Sequence, residues 1–141
     1  MTRRSLWCSL IFLLMQLAPW CAAWAGAVVV VGHANVHKID ASTVQRIYTG
    51  KVIEVDGVPV QPVNLKPGQV LRQRFLNDHL QQTEDAYTGY WTVRRYIGKG
   101  APPRELGTVA EVLQFVQSTP GAVAYLDEAD VPPSANVVYK K

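Results

Sequence analysis

Hydrophobic and polar positions alternate along the chain in two different rhythms. Val28 to Val31 is an unbroken β-branched run, the pattern of a strand covered on both faces. Asp40 or Ser42 caps a short helix in which Val44, Ile47 and Tyr48 share a face, and Gly50 stops it. Asp56-Gly57 is a turn signal between Val52–Val55 and Val58–Leu65, which predicts a small hairpin or a bent strand. Pro67 and Gly68 then open a second helix with Val70, Leu71, Phe75 and Leu76 as its inner stripe. Arg72 and Arg74 lie on opposite sides of that helix and are read as two solvated arginines beside the stripe.

Thr83 caps a third helix with Glu84 and Asp85 in its first turn, running to about Tyr96. Tyr87, Tyr90 and Trp91 fall at i, i+3 and i+4 of it: a core-facing stripe or, if exposed, a docking surface. Thr108-Val109-Ala110-Glu111 is a capping box, and Val109, Val112, Leu113 and Val116 give the fourth helix its apolar side. Pro120-Gly121 ends it, Ala122–Leu126 reads as a second buried strand, and Ala135–Tyr139 as a last, edge strand. Strands alternating with short, capped helices predict a small three-layer α/β sandwich.

The first 25 residues follow another logic. A basic Thr2-Arg3-Arg4 start, an apolar stretch from Leu6 to Leu17 and the small-x-small Ala23-Trp24-Ala25 describe a secretory signal peptide over residues 1–25. The apolar core is shorter than the ~20 residues that span a bilayer, so cleavage and no membrane insertion afterwards are expected. Residues 26–141 then form one domain of a size that can hold a single core. Cys8 and Cys21 both lie in the leader, which leaves the domain without a thiol or disulfide. Arg3 and Arg4 leave too, while all 11 acidic residues stay, so the formal charge falls from +3 to +1. That near-balance removes the electrostatic case for nucleic acid binding.

Four stretches in order carry a resemblance: the phrase Ile47-Tyr48-Thr49-Gly50-Lys51, the segment "DGVPVQPVNLKPGQVLRQRF", the loop within "YWTVRRYIGKGAPPREL", and the corner within "VLQFVQSTPGAVAYL". Together they resemble type II periplasmic binding proteins, nearest the phosphate-binding proteins of ABC importers and their short relatives. The resemblance spans residues 27–139 and implies one lobe of that fold and a periplasmic location. Its implied ligand is a small anion such as phosphate, and its implied partner a membrane transporter or sensor protein. The alternative is a non-transport sensory or interaction domain that kept the fold. No enzymatic activity is expected, because the domain has no cysteine and no Gly-x-Ser-x-Gly, and Ser42, Ser118 and Ser134 are not near a histidine in sequence.

The candidate ligand-binding residues are Lys66, Gly68 and Gln69 at the turn into the second helix, and Gly98, Lys99 and Gly100 in the loop after the third. Free N–H groups at a helix start suit an anion. The hydroxyl positions used by phosphate-binding relatives read Gln69, Val70 and Leu71 here, and their arginine position reads Leu65. The turn therefore either holds some anionic or polar ligand or is only a corner. The Arg94–Arg104 region could equally be a docking face or a surface loop complementing a helix dipole. His33 and His37 sit four apart but without a carboxylate or thiolate cluster, so no metal or cofactor is expected, and no catalytic residue is assigned.

Overall fold

A computed structural model describes residues 26–141, so the leader reading lies outside the described residues. The strands are β1 (Val28–Gly32), β2 (Glu54–Val55), β3 (Val58–Pro59), β4 (Gln61–Leu65), β5 (Arg104–Leu106), β6 (Ala122–Asp127) and β7 (Asn136–Lys140). The helices are α1 (Ala41–Tyr48), α2 (Val70–Phe75), α3 (Glu84–Tyr96) and α4 (Val109–Ser118). A π-helical turn, Leu76–Leu80, continues α2, and Asp127 caps a single 3₁₀ turn over Glu128–Asp130.

Five strands form one sheet in the order β5-β4-β6-β1-β7. β4 runs parallel to both β5 and β6, whereas β1 is antiparallel to β6 and to β7. Val31 lies opposite Ala124, and Val31 meets Leu113 and Val116 of α4 around one cavity. Val30 lies opposite Tyr125, whose ring stacks on Phe75 of α2 at 3.9 Å. Neighbouring residues of a strand point to opposite faces. Thus α4 covers one face, α1 and α2 the other, and the three-layer α/β sandwich expected from the sequence is present.

The caps are those the sequence announces. Asp40 accepts from Thr43 N–H at 2.7 Å, Thr83 from Ala86 N–H and Thr108 from Glu111 N–H, each at 3.2 Å. Asp56 and Gly57, both at positive φ, make the tight β2–β3 hairpin, which settles the hairpin-or-bend alternative. At the α4–β6 corner Gly121 has φ +79°, and a Cβ there would sit 1.9 Å from the Pro59 carbonyl oxygen. Only glycine fits that corner.

Two expectations about the second helix are corrected. Val70 is 69% exposed, and Arg72 is 2% exposed. Phe75 and Leu76 are buried and Leu71 packs against the core as expected, but Val70 lies outside that face, and Arg72 is not a solvated arginine. Its guanidinium donates from Nε and Nη2 to Glu84 at 2.8 and 2.6 Å. Nη1 donates to the Leu65 carbonyl at 2.7 Å and to Glu105 at 2.9 Å. Two carboxylates and a carbonyl thus replace water around the buried cation. Arg74 is also held, pairing with Asp127 at 2.9 Å and with the Gly26 carbonyl.

Candidate functional site

The end of β4 is where the sheet opens. β4 pairs with β6 only through Gln61–Pro62 and Ala122–Val123, and then the two strands diverge. Backbone groups freed by that split must be satisfied elsewhere. The Tyr48 hydroxyl donates to Val63 and Val123 carbonyls at 3.0 and 3.3 Å. Leu65 N–H donates to the Tyr125 hydroxyl oxygen at 3.0 Å, and that hydroxyl donates to Asn64 Oδ1 at 3.1 Å. Asn64 Nδ2 donates to the Tyr87 hydroxyl, which donates to the Tyr48 carbonyl, both at 3.0 Å. Burial pushes the phenol of Tyr48 far up, and raises those of Tyr125 and Tyr87, so all three stay protonated donors.

This buried lattice fixes the last residue of β4 immediately before the turn Lys66-Pro67-Gly68-Gln69. Because β4 and β5 are parallel, the turn after β4 lies beside the turn after β5, Gly107-Thr108, which opens α4. The carboxyl ends of parallel strands are the usual ligand edge of α/β sheets. Lys66 N–H donates to the Leu106 carbonyl at 3.0 Å. Gly68, at φ +91°, makes the bend with open space around it. Gln69 Nε2 donates to the Gly107 carbonyl at 2.9 Å. The Lys66 ammonium lies over Gly107, with Nζ 3.8 Å from where a Cβ would stand, and the Glu111 carboxylate is 3.6 Å from the same point.

The sequence marks Glu111 only as a cap residue. Its Oε2 accepts from Gly107 N–H at 2.8 Å, so a carboxylate of the chain already takes the donor an incoming anion would use. Arg72, read as a surface residue, grips the carbonyl of Leu65 from behind the turn. The signal for it was available in Glu84, an acid in the first turn of the following helix.

The second group of candidates lies elsewhere. Gly98, Lys99 and Gly100 follow α3 and precede the start of β5, whereas the Lys66 turn borders its end. Lys99 N–H donates to the Arg94 carbonyl at 2.8 Å and Gly98 N–H to the Arg95 carbonyl at 3.1 Å, closing the helix C-terminus. Arg94 Nη2 returns to the Lys99 carbonyl at 3.2 Å. The structure brings Lys66 and Gln69 together with Gly107 and Glu111; among the described residues no hydrogen bond joins them to Gly98–Gly100. Of the aromatic stripe, Tyr87 and Trp91 are buried and Tyr90 half-buried, as the core-facing alternative requires.

A small cleft lies between α3 and the segment entering β5. Arg72, Tyr87, Thr88, Trp91, Thr92, Arg95, Pro102 and Glu105 line its roughly 230 Å³. It backs onto the Arg72 cluster and is smaller than a usual ligand pocket.

Among solved structures the fold is similar to that of an ABC-type phosphate transport receptor from Vibrio cholerae. The TM-score is 0.63 at 13% identity, over 79% of this chain and 45% of that one. It is likewise similar to a phosphate ABC transporter substrate-binding protein from Clostridium perfringens with bound phosphate, with TM-score 0.61, 18% identity, and 79% and 44% of the two chains. No family model matches the chain, and no curated protein does. The chain thus spans less than half the length of these neighbours and has the fold of a lobe-sized part of them.

Proposed function

We propose that this is an exported solute-binding-protein-like domain that takes a small anion or polar solute at the edge formed by Lys66, Gly68, Gln69 and Gly107. The observation that carries the reading is the seating of the Lys66 ammonium over Gly107, at the start of α4 and at the carboxyl end of two parallel strands. Such an edge combines backbone donors, a positive helix end and a flexible cation. The phosphate-bound neighbour supports the class of ligand. Periplasmic location and a membrane transporter as partner belong to the same reading.

The mechanism is reversible exchange of anions. A solute anion displaces the Glu111 carboxylate from Gly107 N–H and gains Lys66 as its counter-charge. Because Glu111 competes, binding is weaker than at an unoccupied helix start. Gly98, Lys99 and Gly100 would contribute through the Lys99 side chain rather than through a backbone cradle, since two of the loop N–H groups close α3.

A thermal-shift screen tests the reading. Phosphate or sulfate at millimolar concentration should raise the melting temperature above that in chloride of equal ionic strength, and Lys66→Met should abolish the difference. Equal melting in all three salts would count against it. A second reading, the non-transport sensory or interaction domain, is favoured by the Glu111 contact itself, which satisfies the edge without any ligand.

A further inference from the structure

The solvent side of α3 is unlike that of an ordinary surface helix. Tyr87 and Trp91 face inward. At about 100° per residue the opposite side carries Asp85, Ala86, Gly89, Thr92, Val93 and Tyr96, with Ile97 just past the helix end. All seven are exposed, Val93 at 60%, Tyr96 at 91% and Ile97 at 57%. A surface helix normally presents charged residues there. This one presents a mostly apolar strip, with Asp85 at its N-terminal end and Arg95 and Lys99 toward its C-terminal end.

We propose that this strip is a self-association surface, on which a second copy of the chain docks with its α3 antiparallel about a two-fold axis level with Trp91. The residues are complementary to themselves in that register and in no parallel one. Small residues occupy the first half of the strip, Ala86 and Gly89, and large ones the second, Val93, Tyr96 and Ile97. A two-fold level with Trp91 sets Ala86 against Tyr96 of the second copy and Gly89 against its Val93, each contact occurring twice. The space beyond Gly89 is open, with no atom within 4 Å of where its Cβ would be. A neighbouring helix can therefore approach closely.

The charges agree with the same register. Asp85 lies at the N-terminal end of the strip and Lys99 beyond its C-terminal end, and neither forms an ion pair among the described residues. Glu84 is turned inward to Arg72, and Arg94 is bound back to carbonyls of Gly50 and Lys99. Asp85 at one end and Arg95 and Lys99 at the other are thus the charges left for a partner. The antiparallel two-fold places each Asp85 level with the other copy's Ile97, between its Arg95 and Lys99, while a parallel pairing would set like charges together. One helix crossing buries less than the ~1,200 Å² of a standard interface, so the dimer is weak and reversible.

Sedimentation velocity tests this on protein expressed from the full chain and purified without detergent, over about 1 µM to about 1 mM. The weight-average sedimentation coefficient should rise from the monomer toward the dimer value with concentration. Val93→Glu should move the midpoint up at least about tenfold while leaving the far-UV circular dichroism and thermal melt unchanged. Independently of that variant, Asp85→Lys and Lys99→Asp should each weaken association severalfold, and the double variant should restore it. A chain that stays monomeric throughout overturns the proposal. So does association indifferent to Val93→Glu and to the charge exchange, or occupation of this face by a different protein.

Discussion

Replacing Arg72 with methionine removes the buried cation at the junction of β4, β5 and the start of α3 while keeping most of the side-chain volume. The Leu65 carbonyl then loses its donor in a residue that is 2% exposed, which costs about 1–3 kcal/mol. Glu84 and Glu105 lose their partner too, but their side chains are 28% and 42% exposed and can take up water. Each adds only about 0–1 kcal/mol. The expected loss is therefore about 1–5 kcal/mol, a range that overlaps the 3–5 typical of breaking a fully buried pair. Equilibrium unfolding in urea measures it as a fall in the midpoint at constant slope. Glu105→Gln is the control and should cost less than about 1 kcal/mol, because water reaches that group. A variant Arg72→Met within about 0.5 kcal/mol of the parent would refute the claim that this arginine braces the turn.

Other consequences are checked in the same way. Tyr125→Phe deletes the hydroxyl that accepts from Leu65 N–H and donates to Asn64, with little change of shape. It should cost about 2–4 kcal/mol from two orphaned buried groups; a near-neutral result would mean that water or a strand shift closes the β4–β6 split. His79 is buried against Phe75 and Tyr139, and burial holds its pKa below the ordinary 6.5. The unfolded chain then binds the extra proton more readily than the native one, so stability falls as pH drops below about 6.5. His79→Phe, which keeps the stack, should flatten that decline between about pH 7 and about pH 5, as read from urea midpoints. An unchanged slope would assign it to other groups; Asp127, held below the ordinary 3.8 by the Ala129 N–H and Arg74, acts only at lower pH.

Much of the fold was legible because local rules and tertiary packing agree. Val28–Val31 and Ala122–Leu126 are uninterrupted apolar runs and became the two central strands, buried throughout except where β6 ends. The caps Thr83 and Thr108 and the Asp56-Gly57 turn depend on a few neighbouring residues, so sequence spacing alone locates them, whereas the choice of Asp40 over Ser42 is made by the structure. Phe75 and Leu76 are buried as the stripe requires, but the exposed Val70 and the buried Arg72 of α2 did not follow, for a physical reason. A helix of six residues has too few turns for its apolar pattern to set its rotation, and the π-helical turn after it shifts the phase again. Arg72 could be buried only because Glu84 and Glu105 converge from two later elements. β5 was missed because three residues, Arg104–Leu106, carry no periodicity, and only the parallel neighbour β4 makes them a strand.

The candidate site was legible in the same uneven way. The Pro-Gly turn marks the bend, and its place at a strand end follows from the alternation of elements. What occupies its neighbourhood does not follow, since Gly107 and Glu111 reach it only through the parallel pairing of β4 with β5. The Glu111 contact makes the proposed site self-competing, and it supplies a variant expected to gain function. Glu111→Ala frees Gly107 N–H while leaving the Thr108 cap, whose bond goes to the Glu111 backbone.

The most direct measurement is a phosphate titration followed by amide NMR at Gly68, Gln69 and Gly107, against chloride at matched ionic strength. The account predicts saturable shifts at these amides in the parent protein, about tenfold tighter in Glu111→Ala, a gain of about 1.4 kcal/mol, and absent in Lys66→Met. Shifts no larger than those from chloride, or a Glu111→Ala variant that binds no better, would contradict it.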